Sequence, residues 1–253
     1  MPEIPEEDQD LSFLQHLVEL RGRLLKACLS VFVVLIALLP FSRHLYETLA
    51  SPLMAQMPEG SSMIAIDVAS PFLTPFKLTL LLSVMISIPV VLYQLWAFVA
   101  PALFKHEKRL ARPLLFSSVF LFYAGCAFAY FVVFPLVFGF LTRIAPEGVT
   151  VMTDISKYLD FVMTLFLAFG ITFEVPIATI IMVATGITTA DKLASWRPYI
   201  VVGAFALGMI LTPPDVISQT LLALPMWLLF EIGIVFSRIL IKEKEPETDQ
   251  ATN

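Results

Sequence analysis

Three acidic side chains stand where a carboxylate can do specific chemistry. Glu107 lies in the short run KHEKR, between two long apolar stretches, and Glu19 lies in a second basic segment, HLVELRGRLL. Two carboxylates can each hold a guanidinium group by paired hydrogen bonds, which an ammonium group cannot match. The first two acids therefore indicate capture of a ligand that carries two arginine-like cations. The third acid, Glu174, stands inside an apolar run.

Local ion pairs are the competing interpretation for the first two acids. Glu19 stands one helical turn before Arg23, which is the spacing of a stabilising pair, and Glu107 has four basic residues close by in sequence. Phe98 precedes the KHEKR run by only a few residues. It is a candidate to line an apolar groove for whatever follows the cations, although a lipid-facing or core position is the commoner role for a phenylalanine.

Glu174 is 14 residues from Asp160 and 17 residues from Asp191, with no other charge between them. A helix through this run places its carboxyl deep in a bilayer, where an ionised acid is costly and usually functional. The alternative is a neutral glutamic acid bonded to a neighbouring helix. Pro176 lacks an N–H group and opposes helix continuation, so we expect a kink beside the acid. Gly170 adds room for close packing, and together these residues predict a polar notch.

The composition places all three acids in an integral membrane protein. The chain has 253 residues, of which 58% are hydrophobic and only 15% are charged, whereas soluble domains have about 45–50% apolar and about 25% charged residues. The apolar residues are gathered in runs, and about 20 of them in a helix span a bilayer. The net charge of -5 reflects acids at the two ends, and basic patches that would suit a nucleic acid are absent.

Other functional classes find little support in the residues. Cys28 and Cys126 both lie in apolar runs, which favours buried side chains over a metal site or a disulfide. The sequence contains no G-x-S-x-G, no H-E-x-x-H and no glycine-rich phosphate loop, and its three histidines are scattered. We therefore expect no enzyme activity, no metal and no cofactor.

The apolar pattern predicts an all-α fold with six membrane spans in one domain, residues 1–242. A disordered acidic tail follows at residues 243–253. Pro213 and Pro214 interrupt the last apolar region and divide it into two short spans, with Asp215 as the cap of the second. Before the first span, Ser12 and Gln15 have the spacing of a capping box and predict the start of an interfacial helix. The expected spans are residues 24–42, 72–100, 113–140, 158–186, 198–212 and 216–236.

The placement of Lys and Arg predicts the orientation of these spans. With six spans both ends lie on one side, and most of the basic residues fall there, including the KHEKR run. Cytoplasmic loops carry such an excess, so we expect both termini in the cytoplasm. The long outer segment from Ser42 to Lys77 contains four prolines and is expected to form an ordered cap. Glu231, late in the last span, is expected to pair with a basic neighbour.

Several motifs, in order through nearly the whole chain, resemble those of the TatC family, the core component of the twin-arginine protein translocase. Individually some are weak, and together they are highly specific. They are HLVELRGRLL from His16, DVASPF from Asp67, WAFVAPALFKHEKR from Trp96, AFAYFVVFP from Ala127, FGITFEVP from Phe169, RPYIVVGAF from Arg197, LTPPDVISQ from Leu211 and LFEIG from Leu229.

The resemblance implies a six-helix, cupped membrane bundle that receives Arg-Arg signal peptides of folded cargo proteins. It implies that Glu19 and Glu107 bind the signal's arginine region, with Arg21 and Phe98 on the same surface. It assigns Glu174 to a buried position facing a concave cavity. It places the docking of single-span TatA- and TatB-type subunits at the short fifth and sixth spans, with Met209, Thr212 and Gln219.

The resemblance further implies a bacterial inner membrane, self-association, and energy from the proton-motive force without a nucleotide on this subunit. The rival hypothesis from another class is a proton- or cation-coupled transporter of small solutes centred on Glu174. Such transporters commonly show inverted repeats, and none is visible in the sequence.

Overall fold

The structure is a computed structural model, and it describes residues 6–54, 63–103, 108–143, 153–211 and 216–241. These residues are helical almost throughout, which confirms the all-α prediction. The only extended pairing among them is an isolated parallel bridge between Ile64 and Asp154. The expected tail at 243–253 lies outside the described residues.

Ten α-helices follow one another in the described residues. A short 3-10 turn, Leu39–Phe41, separates the first two, and a π-helical turn, Ala129–Val133, separates the fourth from the fifth. The α-helices are α1 Glu6–Leu38, α2 Ser42–Met54, α3 Ser70–Leu103, α4 Lys108–Phe128, α5 Phe134–Arg143, α6 Ile155–Thr172, α7 Val175–Ala184, α8 Ala190–Ser195, α9 Arg197–Leu211 and α10 Val216–Leu240.

The predicted start of the first helix is wrong. The capping-box spacing placed the start at Ser12, whereas α1 begins at Glu6 and contains Ser12 and Gln15 within it. The residues before Ser12 are largely acidic, and acids are favourable in the first turns of a helix because they interact with the helix dipole. The helix therefore extends toward the N-terminus past the predicted cap.

Five helical segments in the described residues are long and apolar enough to cross a membrane. They are Leu17–Ser51, Ser70–Phe98, Arg112–Gly139, Ile155–Ala184 and Gln219–Leu240. The expected fifth span corresponds to a shorter apolar helix, Arg197–Ile210. The chain is therefore a polytopic membrane protein, and the count of six spans stays a prediction.

The contacts divide the chain into two compact units, the first ending at Ile171 and the second starting at Thr172. An aromatic cluster lies in the first unit, where α5 and the π-helical turn pack on α6. The ring of Phe134 meets that of Phe166 edge-on at 5.1 Å, and Tyr130 stacks on Phe166 at 6.5 Å. The single-domain prediction stays a prediction.

The described parts of the segment from Ser42 to Lys77 are hydrogen-bonded to Thr153 and to the start of α6. The Ile64 N–H donates to the Thr153 carbonyl at 3.0 Å, and the Ile155 N–H donates to the Ile64 carbonyl at 2.9 Å. The Tyr158 hydroxyl donates to the Leu49 carbonyl at 2.9 Å. Backbone groups of α2 and of the following loop are therefore held by α6 and by the residue before it, and the expected outer cap stays a prediction.

In the second unit, α7 and α10 approach each other closely at Gly233. A Cβ atom added there would clash with Thr179 Oγ1 and lie 2.9 Å from the Cα of Pro176. The Thr179 hydroxyl is committed, since it donates to the Pro176 carbonyl at 2.8 Å. A glycine is therefore required at this crossing, as is usual where membrane helices pack closely.

We expect Gly233→Ala to destabilise the protein by about 1–3 kcal/mol, the usual cost of overpacking a close-packed core. Gly203→Ala is the matched control, because nothing lies within 4 Å of a Cβ added at Gly203. Alanine is the better helix former by about 1 kcal/mol, so the control is expected to melt at or above the wild-type temperature. Melting of the purified proteins in detergent measures both, and equal losses in the two variants would contradict the close crossing.

Candidate functional site

Glu19 is held by Arg23 on α1. The Arg23 Nε donates to Glu19 Oε1 at 2.9 Å, and Arg23 Nη2 donates to the same oxygen. The predicted pair one helical turn apart is therefore formed. Both bonds use Oε1, and no described residue donates to Oε2. Because the Glu19 side chain is 42% exposed, Oε2 can accept hydrogen bonds from a ligand.

Arg23 also lines a groove between α1 and α3. The groove has a volume of about 150 Å³ and is walled by Leu20, Leu24 and Ala27 on α1 and by Val91, Gln94, Leu95 and Phe98 on α3. Apart from Arg23 and Gln94, its lining side chains are apolar. The structure thus brings Phe98 and the Glu19–Arg23 pair to one groove.

The groove-lining face of α3 was not identified from the sequence. Val91, Gln94, Leu95 and Phe98 recur at spacings of three and four, which places them on one face of a helix. That spacing was available in the sequence, but a helix that is apolar all round gives no sign of which face a partner covers. Only the packing of α1 against α3 distinguishes this face.

Two further residues were predicted for this surface. Arg21 is exposed on α1 and is not among the groove-lining residues. Glu107 lies outside the described residues. The predicted pairing of Glu19 with Glu107 around one ligand therefore stays a prediction.

Glu174 stands at a break in the helical chain. The segment α6 ends at Thr172, and α7 begins at Val175 with Glu174 as its N-cap residue and Pro176 in its first turn. The expected interruption beside Pro176 is therefore present. The Oε1 atom of Glu174 is shielded from solvent, and the residue as a whole is half-buried.

The second unit carries a bidentate ion pair between α9 and α10. Arg197 Nε donates to Glu231 Oε1 at 2.6 Å, and Arg197 Nη2 donates to Glu231 Oε2 at 2.8 Å. The expected pairing of Glu231 with a basic neighbour is confirmed, and it ties the two helices at one end.

The predicted docking residues lie on the same two helices. Met209 on α9 is 57% exposed. A Cβ atom added at the neighbouring Gly208 would lie 3.5 Å from the Cα and the carbonyl oxygen of Gln219 on α10. The structure therefore brings Gln219 close to the segment that carries Met209, whereas Thr212 lies outside the described residues.

Comparison with known proteins resolves the choice between the two functional hypotheses. A protein-family model described as the Sec-independent protein translocase protein (TatC) matches residues 15–225. The chain belongs to the TatC family. A TatC protein of Azotobacter chroococcum mcd 1 is 56% identical over 96% of this chain and 95% of the relative, and that of Escherichia coli (strain K12) is 59% identical over 90% and 88%.

A crystal structure described as the twin arginine translocase receptor TatC matches the fold. Its TM-score is 0.78 with 38% sequence identity, over 88% of this chain and 98% of the crystallised chain. This chain is therefore a TatC translocase component, a transport protein of the membrane. The hypothesis of a small-solute transporter is not supported.

The family match extends over the predicted site residues. Residues 15–225 include all the predicted site residues, from Glu19 to Gln219. Glu231, the partner of Arg197, lies beyond that range. The TatC match does not itself assign a role to any of these residues.

Proposed function

We propose that this TatC protein is the receptor for Arg-Arg signal peptides on the cytoplasmic face of a bacterial inner membrane. The observation that carries the proposal is the groove between α1 and α3, where an exposed carboxylate, Glu19, stands next to an apolar channel. A ligand that suits this groove has a cation followed by apolar residues. An Arg-Arg signal peptide has both.

The Glu19 carboxylate supports the cationic half of the proposal. Its Oε2 faces no donor among the described residues, so a signal arginine can bind there without first displacing Arg23. Guanidinium groups bind carboxylates with two parallel hydrogen bonds, which selects arginine over lysine. Glu107 supplies the second carboxylate in this proposal, and Arg21 belongs to the same surface.

The groove walls support the apolar half of the proposal. Leu20, Leu24 and Ala27 face Val91, Leu95 and Phe98 across the groove. The apolar stretch of a signal peptide that enters here removes its own surface and that of the groove from water, which contributes about 25 cal/mol per Å² of apolar area. Phe98 is the one aromatic side chain among the described residues that line the groove.

We further propose that single-span TatA- and TatB-type subunits dock at α9 and α10, near Met209, Thr212 and Gln219. The exposed Met209 offers an adaptable apolar contact, and the amide of Gln219 can bond another helix inside the membrane. Transport of folded cargo then uses the proton-motive force. Both termini are cytoplasmic in this proposal, and self-association accompanies assembly.

Site-specific crosslinking to a synthetic signal peptide tests the receptor proposal. A photo-crosslinking residue at Gln94, which lines the groove, is expected to capture an Arg-Arg peptide. The matched control is the same residue at Val90, which is 42% exposed on α3 but is not among the groove-lining residues. A Lys-Lys peptide is expected to lose about nine-tenths or more of the product, because it lacks the charge-assisted bidentate bonds. Equal capture at both positions, or of both peptides, would contradict the proposal.

A probe at Glu107 extends the same experiment to the basic loop. Capture of the Arg-Arg peptide there and at Gln94 supports one binding surface that includes both segments. Capture at Gln94 alone would show that the peptide binds only at the groove. It would contradict the role of Glu107 in peptide binding.

A further inference from the structure

A second cavity lies at the C-terminal end of α1, away from Glu19. Its volume is about 340 Å³, and it is lined by Leu39, Ser42 and Arg43 from the end of α1 and the start of α2, and by Phe72, Phe76 and two prolines from the first turns of α3. It lies within the first compact unit. None of its residues contributes to the groove between α1 and α3.

Pro40 accounts for the local backbone at this cavity. It lies in the 3-10 turn Leu39–Phe41, which interrupts the helical path between α1 and α2. Proline has no N–H group and its ring collides with the preceding turn, so a regular α-helix cannot continue through it. The turn places the first residues of α2, including Arg43, on the wall of the cavity.

Arg43 is an exposed cation with no carboxylate partner among the described residues. Other ionic groups of α2 and α3 are matched: Lys77 contacts Asp160 at 3.3 Å, and His44 lies 3.9 Å from Glu47. The guanidinium group of Arg43 is therefore available to an anion that enters the cavity. A phosphate accepts two parallel hydrogen bonds from such a group.

The position of Arg43 along its helix matches the edge of a bilayer. From Leu24, where the predicted first span begins, to the end of α1 at Leu38 the helix rises about 21 Å, and the three residues of the 3-10 turn add about 6 Å. The start of α2, which carries Arg43, is therefore about 27 Å along the chain from Leu24, close to the thickness of the hydrocarbon core, about 30 Å. The phosphates of phospholipids lie just beyond that core. Arg43 is therefore at the depth of lipid headgroups.

Apolar side chains continue from the cavity along the membrane-spanning surface. Phe72 is 76% exposed, Phe76 is 38% exposed and Leu39 is 38% exposed. A free inorganic anion would use only the guanidinium group and leave these rings uncovered. A phospholipid would use both, because its phosphate meets Arg43 while its chains cover the rings.

We propose that this cavity is a phospholipid site, in which Arg43 binds the headgroup phosphate and Leu39, Phe72 and Phe76 contact the acyl chains. It binds lipid from the leaflet opposite to the end of α1 that carries Glu19. A bound lipid fills the space between the end of α1 and the start of α3. The site is independent of signal-peptide binding.

Lipid retention by the purified full-length protein tests this site. The protein in detergent is titrated with phosphatidylglycerol and, separately, with a diacylglycerol that has the same chains but no phosphate, and bound lipid is counted by native mass spectrometry. Arg43→Gln is expected to weaken phosphatidylglycerol binding by about tenfold or more, the effect of losing a hydrogen bond to a charged group. Arg43→Lys keeps the charge but loses the bidentate geometry. Its affinity for phosphatidylglycerol is expected to lie between that of the wild type and that of Arg43→Gln.

Lys157→Gln is the matched control, since Lys157 is also an exposed cation without a carboxylate partner among the described residues but does not line the cavity. It is expected to bind lipid as the wild type does. Equal lipid binding by Arg43→Gln and wild type would overturn the proposal, as would equal binding of diacylglycerol and phosphatidylglycerol. Inorganic phosphate that competes as well as phosphatidylglycerol would also overturn it, by showing an anion site that does not recognise lipid.

Discussion

Replacing Glu19 by alanine is expected to weaken binding of an Arg-Arg signal peptide by about 10- to 100-fold, the range expected for lost hydrogen bonds to a charged group. The Glu19 carboxylate is bonded to Arg23, which lines the α1–α3 groove, and its Oε2 is available to a ligand. Titration of a fluorescent signal peptide against the purified protein in detergent measures the loss. The affinity is expected to fall with added salt, because exposed charges are screened.

The variant Arg23→Gln separates a binding role of Glu19 from a structural one. If Glu19 serves the ligand, removing the competing cation is expected to leave the affinity unchanged or to raise it. If the ion pair serves only to stabilise α1, removing either member is expected to lower the affinity for the peptide equally. Equal losses in Glu19→Ala and Arg23→Gln would therefore contradict the receptor role of Glu19.

Glu47→Ala is the control for the loss of a negative charge. Glu47 is an exposed acid on α2, and it lies 3.9 Å from a histidine rather than from an arginine. It is not among the residues that line the groove. This variant is expected to bind the Arg-Arg peptide as the wild type does. That result would show that the loss of affinity in Glu19→Ala depends on the position of the acid and not on net charge alone.

Glu174→Lys is expected to abolish transport of a folded cargo protein into membrane vesicles. The residue lies in the candidate span Ile155–Ala184, and a lysine at the centre of a membrane helix costs about 2.5–3.5 kcal/mol. Glu174 is also the N-cap residue of α7, where the helical segment is interrupted, so a longer cationic side chain must find a new position there. Peptide binding is expected to remain, because Glu174 does not line the groove between α1 and α3.

The variant Glu174→Gln separates the effect of losing the ionisable carboxyl group from the effect of changing the side chain's shape. Glutamine has nearly the same size and keeps an acceptor and a donor, but it cannot take up or release a proton. We expect the variant to accumulate normally and to lose transport, since an acid inside a membrane span is usually retained for its charge. Full transport by this variant would contradict that role.

The control for the transport experiment is Asp160→Asn on α6. Asp160 contacts Lys77 at 3.3 Å, and both side chains are about half-exposed, so the pair contributes about 1 kcal/mol or less. This variant is expected to transport cargo at the wild-type rate. A loss of transport as large as that of Glu174→Gln would show that transport depends on any acid in this segment and not on Glu174 in particular.

Some local contacts could be predicted from the sequence alone, and others could not. The pair of Glu19 with Arg23, the interruption beside Pro176 and the ion pair of Glu231 were predicted, because each depends on spacing along one helix or on the cost of an unpaired charge in an apolar segment. The start of α1 was wrong because acids upstream of Ser12 also favour a helix. The groove-lining face of α3 was not predicted, because α3 is apolar all round.

The sequence by itself determined that the chain is a helical membrane protein of the TatC family. Apolar runs of span length and ordered motifs are properties of the chain alone, and they do not depend on which helices meet. The tertiary structure decided which residues lie together. Arg23 and Phe98 line one groove, Gly233 packs against Thr179, and Arg43 lines one cavity with the aromatic rings of α3. Those contacts join residues far apart in the chain, and in a membrane the apolar pattern that places a helix in lipid does not distinguish its packed face from its exposed one.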